Sequence, residues 1–227
     1  MKFIVIGLGY FGSTLAVNLT QQGHEVIGID NRYEKVEEFK DSITHVMEMD
    51  TTNERAVKSL PLDDADAVIV AIGEDVGSSI LTLSILKNMN IKRIIGRIIS
   101  TVHHTILNQI GIYETIHPEE ATAYTVISML QLPNAINVFE LGNDDVISEC
   151  FIPAKYIGHT PESLNLSKRF NLKMVGIKKA PATKGINSII KKDYELILDF
   201  DPYYVFQEKD IILIAGKLPN VRKFMEG

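Results

Sequence analysis

The stretch "IVIGLGYFGSTLAVNL" (residues 4–19) places three glycines between an apolar run and an amphipathic segment. The apolar run predicts a buried strand, and residues 10–23 have the pattern of a helix. Gly7, Gly9 and Gly12 form the G-x-G-x-x-G pattern of a dinucleotide-binding turn. The first glycine permits a tight turn, the second lets phosphates approach the backbone, and the third lets the helix pack closely. We therefore expect a pyrophosphate at the amino end of the first helix.

Asp30 ends the next apolar run, "EVIGID" (residues 25–30), about twenty residues beyond the glycines. An acidic residue in this place accepts hydrogen bonds from the ribose hydroxyls of a bound dinucleotide. The carboxylate would also repel a 2′-phosphate, which argues against NADP as the ligand. The alternative is a glycine turn without a ligand, followed by an aspartate that merely ends a strand. The strand–turn–helix context favours the nucleotide site.

Three later segments follow predicted strands, and the carboxyl ends of such strands border the ligand crevice. Asp50 and Thr51 follow the third strand and can border the adenine, although either could instead cap a helix over residues 52–59. The loop "AIGED" (71–75) follows the fourth strand and offers backbone amides. Arg97, late in the fifth strand, places a cation near the phosphates, with a structural salt bridge as the alternative.

The first part of the chain alternates short valine- and isoleucine-rich runs with amphipathic segments. This alternation predicts right-handed βαβ units, and therefore an α/β domain with a Rossmann-like, doubly wound parallel sheet covered on both faces. The strand candidates are residues 2–7, 25–30, 44–49, 66–72, 92–98 and 113–118. The clearest helical patterns lie at residues 10–23, 78–90 and 119–133.

After Pro133 the pattern changes to strands with few helices. We predict a first domain over residues 1–133, including the helix at 119–133, and a smaller α+β domain over residues 134–227. The strands predicted in the second domain are residues 137–142, 146–153, 172–179, 187–192 and 210–216, with short helices at 161–170 and 218–226.

Composition excludes several classes of protein. The 227 residues carry a formal net charge of −6, which argues against nucleic acid as a partner. Cys150 is the only cysteine, so no intramolecular disulfide can form, and its apolar setting predicts a buried structural thiol. No apolar run approaches the length of a membrane-spanning helix, and no secretory signal begins the chain. We expect a cytoplasmic protein that serves a membrane process only through a partner.

The sequence shows no recognisable catalytic set. No tyrosine is followed four residues later by lysine, the proton-donor pair of short-chain dehydrogenases, and no His–Asp or Cys–His arrangement stands out. His103 and His104 are expected on a solvated helix face. We therefore predict no catalytic residues and favour a sensor over an enzyme. An NAD-dependent oxidoreductase with a small substrate domain is the alternative.

Several segments resemble the RCK-type cytoplasmic regulators of potassium conductance, as in the Ktr and Trk uptake systems. They are the glycine stretch, "GID", "MDTTN", "DAVIVAIGED", "IGRIIS", "ILNQIGIYETIHPEEA" and "KMVGIKK…DIILIAG". The block around His117-Pro118-Glu119 is the most specific, because dehydrogenases have no reason to carry it. The resemblance covers nearly the whole chain and is strongest to the single-copy Ktr type.

The resemblance implies a non-enzymatic subunit that gates a membrane potassium transporter. Such proteins form homodimers that assemble into an octameric ring, and exchange of ATP for ADP, or of NADH for NAD, changes the ring. It also implies that Glu119 lies near the nucleotide phosphates at the dimer interface, where it can hold Mg²⁺ or Ca²⁺. The alternative for Glu119 is an ordinary helix start, in which an acid is favourable near the amino end. A regulator of another cation system, such as a cation/proton antiporter, also stays open.

Two departures from the family pattern bear on the ligand. Tyr10 stands where ATP-selective members often have arginine, and a phenol cannot neutralise a γ-phosphate. This difference strengthens NAD(H), ADP or AMP as candidates. Met49 replaces a usual glycine, a milder change. The residues expected at the nucleotide site are Gly7, Gly9, Tyr10, Phe11, Gly12, Asp30, Asn31, Asp50, Thr51, Ala71, Ile72, Gly73, Arg97 and Glu119.

The second domain resembles the family's ligand-sensing module, which binds cyclic di-AMP in some members. A basic cluster could serve this ligand, and it consists of Lys168, Arg169, Lys173, Lys178 and Lys179. The alternative is a solvated basic strand edge that discourages pairing with other strands.

Overall fold

The computed structural model describes residues 1–132, 134–179 and 194–226. The chain divides into two compact units, Met1–Glu119 and Glu120–Gly227. Each unit contains its own sheet and its own apolar core.

The described part of the first unit is a parallel sheet of six strands with helices between them. The strands are β1 (Lys2–Ile6), β2 (Glu25–Asp30), β3 (His45–Glu48), β4 (Ala67–Val70), β5 (Ile94–Arg97) and β6 (Thr115–Ile116). The helices are α1 (Tyr10–Gln21), α2 (Tyr33–Phe39), α3 (Glu54–Val57), α4 (Val76–Asn88) and α5 (Thr101–Gln109). The strand order β3-β2-β1-β4-β5-β6 is that of a Rossmann fold, so the predicted fold class is confirmed.

The central strands are apolar on both faces because helices cover both sides of the sheet. Ile4 and Ile6 of β1 pack into the core on one face, whereas Val5 packs into the core on the other. The order of the strands reverses between β1 and β4, which are neighbours although two strands separate them in the chain. This reversal opens a crevice beyond the carboxyl end of β1, where such folds bind their ligands.

The second unit contains an antiparallel sheet of five strands among its described residues, in the order β10-β9-β11-β8-β7. These are β7 (Ala135–Gly142), β8 (Asp145–Phe151), β9 (Lys173–Lys179), β10 (Glu195–Ile197) and β11 (Ile211–Lys217). The helices are α6 (Pro118–Gln131), which begins just before the unit boundary, α7 (Pro161–Leu164), α8 (Leu166–Phe170) and α9 (Leu218–Glu226), with a 3₁₀ turn at Ala154–Tyr156. The predicted α+β character of the second unit is confirmed.

Cys150 lies in the core of the second unit and is fully buried. Burial raises the pKa of its thiol to about 12, with the nearby Glu149 carboxylate adding to the shift. The thiol is therefore protonated at neutral pH and unreactive, as the sequence predicts.

The structure groups α6 with the second unit, whereas the sequence assigns this helix to the first domain. Ser128 donates a 2.9 Å hydrogen bond to Glu140 of β7, and Leu132, just beyond α6, is buried in the second core. These contacts are consistent with the division of the chain into compact units after Glu119. Whether residues 1–133 act as one functional domain stays a prediction.

Two further details of the second unit differ from expectation. The helix predicted over 161–170 is split at Asn165, which adopts a left-handed conformation (φ 45°) between α7 and α8. The short strand β10 was not predicted, because three residues carry too weak a pattern. The strand predicted at 187–192 lies outside the described residues. No helix built from the described residues has both the length and the apolar character needed to cross a membrane.

Candidate functional site

The glycine turn connects β1 to α1 at the crevice. Gly7 has a positive φ of 93°, and its N–H donates to the Ile29 carbonyl oxygen at 2.7 Å. A Cβ on Gly12 would lie 1.9 Å from the Gly7 carbonyl oxygen, so only glycine fits there. Apart from Gly9 and its two chain neighbours, no atom of the described residues lies within 4 Å of the place that a Cβ on Gly9 would take. The turn is thus closed by Gly7 and Gly12 and open to a ligand at Gly9.

The amino end of α1 lies at this opening. Gly9 is its N-cap, and among the described residues no side chain accepts a hydrogen bond there. The amino end of the helix therefore offers N–H groups and a partial positive charge to an anion. Tyr10, the first helical residue, is 93% exposed, so its phenol is in contact with solvent.

Arg97 ends β5 and lies over the loop that follows β4. A Cβ on Gly73 would lie 2.4 Å from Arg97 Nη1, and the same nitrogen donates to the Ala71 carbonyl oxygen at 3.4 Å. The guanidinium also lies 5.7 Å from the centre of the Phe11 ring, which α1 supplies. We call the group formed by the glycine turn, Phe11, Ala71–Gly73 and Arg97 the phosphate corner.

One atom of the phosphate corner lacks a partner. Arg97 Nε is buried and makes no hydrogen bond to any of the described residues. A buried guanidinium N–H without an acceptor is costly, so an anionic acceptor is expected beside it. Ile72, which follows Ala71, places its backbone nitrogen 3.0 Å from the position of a Cβ on Gly7. This arrangement fits a pyrophosphate held between the turn and Arg97.

Asp30 lies at the end of β2 and is 5% exposed. Its Oδ2 accepts from the Leu8 N–H at 2.7 Å, which ties the carboxylate to the glycine turn. Its Oδ1 accepts from both the backbone N–H and the Nε of Arg32, each at 3.0 Å. Burial favours a raised pKa for Asp30, but these hydrogen bonds outweigh it and lower the pKa below the usual 3.8. We call Leu8, Asp30 and Arg32 the ribose corner.

Only Asp30 of the ribose corner was predicted from the sequence; Leu8 contributes its backbone N–H, and Arg32 contributes a charged side chain. Its Nη1 also lies 3.4 Å from Glu74, in the loop after β4. The only signal in the sequence is a cation two residues after the acid that ends β2. Asn31, between the two, is exposed.

Asp50 and Thr51 have different surroundings. Asp50 is exposed, and its Oδ1 accepts from the backbone and hydroxyl of Thr52 at 2.9 and 2.7 Å. Thr51 is buried, and its hydroxyl lies 2.9 Å from that of Thr82 on α4. The cap of α3 is Asn53, whose side chain accepts from the Arg55 N–H, so neither Asp50 nor Thr51 caps this helix. A role beside the adenine stays a prediction for both.

Glu119 forms an ion pair with Arg97 in the first unit. A hydrogen bond from its own backbone N–H, and then the Arg97 guanidinium, lower the pKa of its carboxyl. No group of three or more His, Cys, Asp or Glu residues suited to a metal occurs in the part of the chain that is described. A metal-binding role for Glu119 stays a prediction.

His103 was expected on a solvated face, and this expectation was wrong. The ring is fully buried, and its Nδ1 accepts from the Ile99 N–H at 3.2 Å. Burial lowers the pKa of His103, so the imidazole is neutral at neutral pH. The residue lies on the inner face of α5, where it closes the turn that follows β5.

Known proteins that are similar to this chain in sequence or in structure agree with the parallel-sheet fold and with the glycine turn. The TrkA-N domain family matches residues 3–118. The Ktr system potassium uptake protein C of Bacillus subtilis is 29% identical over 223 residues, which cover 98% of this chain and 95% of that protein. The GsuK RCK domain has a TM-score of 0.63 at 14% identity, and the alignment spans all of this chain and about half (48%) of that one. The GsuK channel bound to NAD has a TM-score of 0.61 at 13% identity over 99% of this chain and 38% of that one.

The two structural likenesses establish the fold alone, because their identities are low. The sequence match is more specific, since it begins in β1 and extends through the glycine turn and the ribose corner to His117-Pro118. It covers just over half of the chain and includes the parallel sheet except for Lys2, the first residue of β1. The chain therefore belongs to the TrkA-N domain family.

Proposed function

We propose that this chain is a cytoplasmic, nucleotide-binding regulatory subunit that gates a membrane potassium transporter and catalyses no reaction itself. The observation that carries the nucleotide part is the Nε of Arg97, which is buried without a hydrogen-bond partner among the described residues and lies beside a glycine turn that is open at Gly9. The likeness to a potassium uptake protein over nearly the full length of both chains supports the potassium part.

The ligand that suits the crevice best is an adenine nucleotide with at least two phosphates. Phosphates would lie between the amino end of α1 and Arg97, and the ribose would lie at Asp30. Tyr10 offers no cation to a third phosphate and is turned to solvent, which favours NAD(H) or ADP over ATP. A GsuK channel of the same fold has been seen with NAD.

The regulatory mechanism that we infer is a shift of population between assemblies. A nucleotide that binds one geometry about tenfold better shifts the equilibrium by about 1.4 kcal/mol per site, and several coupled sites add their effects. The helix α6 suits a contact between copies, because most of its apolar side chains are exposed. We propose a homodimer that assembles further into an octameric ring beneath the transporter.

Two finer parts of the proposal concern additional ligands. A divalent cation, Mg²⁺ or Ca²⁺, would be held by Glu119 together with nucleotide phosphates and a second subunit. Glu119 would become available for this when a phosphate replaces it as the partner of Arg97. Cyclic di-AMP would bind the second unit near the basic residues at 168–179. In the structure Lys178 is paired with Glu149 at 2.7 Å and Lys179 lies 4.3 Å above the Tyr204 ring, so both already have partners within the second unit. Their strand β9 pairs with β10 and β11, so the alternative of a solvated strand edge is wrong for these two.

Calorimetric titration with NAD, NADH, ATP, ADP and AMP tests the nucleotide site. We expect Arg97→Gln to weaken binding of the preferred nucleotide about tenfold or more, because a charge-assisted contact is lost. Arg93→Gln is the matched control, since Arg93 precedes the same strand at its opposite end and is likewise paired with a glutamate, Glu114. We expect this control to change affinity less than about twofold. A wild-type chain that binds none of the five nucleotides would contradict the proposal.

The gating role needs a separate measurement. Cells that produce a membrane potassium transporter subunit, with and without this chain, should differ in potassium uptake, and Arg97→Gln should remove the difference. Consumption of NADH by the purified chain with a small substrate would instead favour the oxidoreductase alternative.

A further inference from the structure

The ribose corner contains a charge arrangement that changes the expected ligand specificity. An unpaired carboxylate at the end of β2 would repel a 2′-phosphate on the ribose. In the structure the Asp30 carboxylate is paired with the Arg32 guanidinium through Nε at 3.0 Å and Nη2 at 3.3 Å. The side chain of Arg32 is partly exposed, whereas that of Asp30 is buried. A ligand at the mouth of this corner therefore meets a guanidinium edge rather than a bare carboxylate.

We propose that Arg32 determines specificity at the 2′ position of the adenosine ribose, and that the site accepts adenine nucleotides carrying a 2′-phosphate. The inference rests on the proposed nucleotide function of the crevice. It adds a ligand class, the NADP type, which an unpaired Asp30 carboxylate would disfavour.

The guanidinium keeps donors for such a phosphate. Arginine has five N–H donors in a planar fork that matches two phosphate oxygens. Nε and Nη2 donate to Asp30, and in the part of the chain that the structure describes Nη1 has Glu74 as its partner, at 3.4 Å. Glu74 is 84% exposed on its side chain, so this ion pair is weak and easily exchanged for a phosphate.

The position of the Arg32 guanidinium also suits contact with a 2′-phosphate on the ribose. Arg32 follows β2 and Glu74 follows β4, and these strands lie on either side of β1. The Arg32–Glu74 pair thus joins the loops that follow the two neighbours of β1. Because Asp30 also accepts from the turn at Leu8, Arg32 is anchored beside the place where the ribose would lie.

Titration with two ligands that differ only in the 2′ group tests the inference. The probes are 5′-AMP and adenosine 2′,5′-bisphosphate. We expect the wild-type chain to bind them with affinities within about tenfold of each other. Arg32→Gln should weaken the bisphosphate about tenfold or more and change 5′-AMP less than about threefold, since only the 2′-phosphate contact is lost. Lys35→Gln removes the same charge from α2, where Lys35 is paired with Glu38, and should change neither.

The outcomes separate this inference from the proposed function. Binding of 5′-AMP without binding of the bisphosphate overturns the inference and leaves the proposed function standing. Binding of neither also overturns the inference, and it overturns the proposed function only if NAD, NADH, ATP and ADP fail to bind as well. An Arg32→Gln variant that weakens both ligands equally, or that only tightens 5′-AMP, also overturns the inference. If thermal unfolding shows that the Arg32→Gln variant does not fold, the Arg32→Lys variant tests the inference instead. It keeps the charge beside Asp30 but loses the fork, and should selectively weaken the bisphosphate.

Discussion

Gly9 and Gly12 belong to the same sequence motif, but their surroundings in the structure differ. Gly12 faces the Gly7 carbonyl oxygen, and an added methyl group would collide with backbone that cannot move cheaply. Gly9 has an ordinary φ of −62° and open space beside it. The two glycines therefore serve different purposes, one in folding and one in access to the crevice.

This difference predicts that alanine at Gly12 lowers stability, whereas alanine at Gly9 weakens nucleotide binding. Gly12→Ala should lower the free energy of unfolding by about 1–3 kcal/mol, the usual cost of overpacking. Gly9→Ala should keep wild-type stability within about 0.5 kcal/mol and weaken nucleotide binding, because its methyl group occupies the opening. Urea denaturation and calorimetry measure the two effects. Equal stability of the two variants would contradict the assigned geometry.

The lowered pKa of Asp30 leads to a prediction about the stability of the fold in acid. Because its folded pKa is lowered, the stability it contributes is present above the unfolded value of about 3.8 and is lost as the pH falls through the lower folded value. Asp30→Asn should therefore lose less stability than the wild type between about pH 4 and pH 2. Urea denaturation at a series of pH values measures this, with Asp41→Asn, an exposed aspartate, as the control. Parallel pH profiles for wild type and Asp30→Asn would refute the assignment.

The sequence was sufficient for residues whose role follows from backbone geometry and insufficient for those whose role depends on a partner. Gly7 and Gly12 could be assigned because turns and close packing restrict residue type. The pairing of Arg32 with Asp30 could not be foreseen, since two nearby opposite charges in a sequence need not meet. The burial of His103 was missed for a similar reason, as the ring caps the turn after β5 instead of facing solvent.

At the scale of elements, the first sheet was predictable because each of its strands is a short apolar run between amphipathic helices. The handedness rule then fixes how successive strands are placed. In the second unit the alternation of apolar and polar residues predicted β7, β8, β9 and β11, whose inner faces supply Val138, Cys150, Ile177 and Ile212 to the core. The strand β10 and the break at Asn165 depend on tertiary contacts and backbone conformation that no short window of sequence contains.

The helix α9 should be essential to the second unit. Phe224 is fully buried, stacks on Tyr156 at 4.9 Å between ring centres, and meets Phe170 edge-on at 5.4 Å. Phe224→Ala should lower the free energy of unfolding by about 3–5 kcal/mol, because it leaves a cavity and removes both ring contacts. Lys223→Ala, on the exposed side of the same helix, should change it by less than about 0.5 kcal/mol. Chemical denaturation followed by circular dichroism compares them, and similar losses would show that α9 does not close this core.

At the scale of the whole molecule, α6 is the element whose composition a single chain does not explain. It exposes Tyr124, Val126, Ile127, Met129 and Leu130, and only Ser128 of the helix is buried. So much exposed apolar surface on one helix is typical of an interaction site. This is the feature on which the proposed assembly depends.

Replacing one of these residues should change assembly without changing the fold. Leu130 is 82% exposed, and Leu130→Ser should shift the chain toward monomers in sedimentation velocity while leaving its circular dichroism spectrum unchanged. Val102→Ser, at an exposed position of α5, is the control and should sediment like the wild type. A wild-type chain that is monomeric with and without nucleotide would contradict the assembly proposal.

The exposure of Tyr10 at the mouth of the crevice offers an optical reporter. The chain contains no tryptophan, so Tyr10→Trp would introduce a single indole fluorophore, one residue beyond the open glycine of the turn. Because that side chain projects into water, the substitution should disturb neither core, and its emission would respond to a ligand arriving beside it. Rapid-mixing fluorescence could then follow ligand arrival and departure in real time.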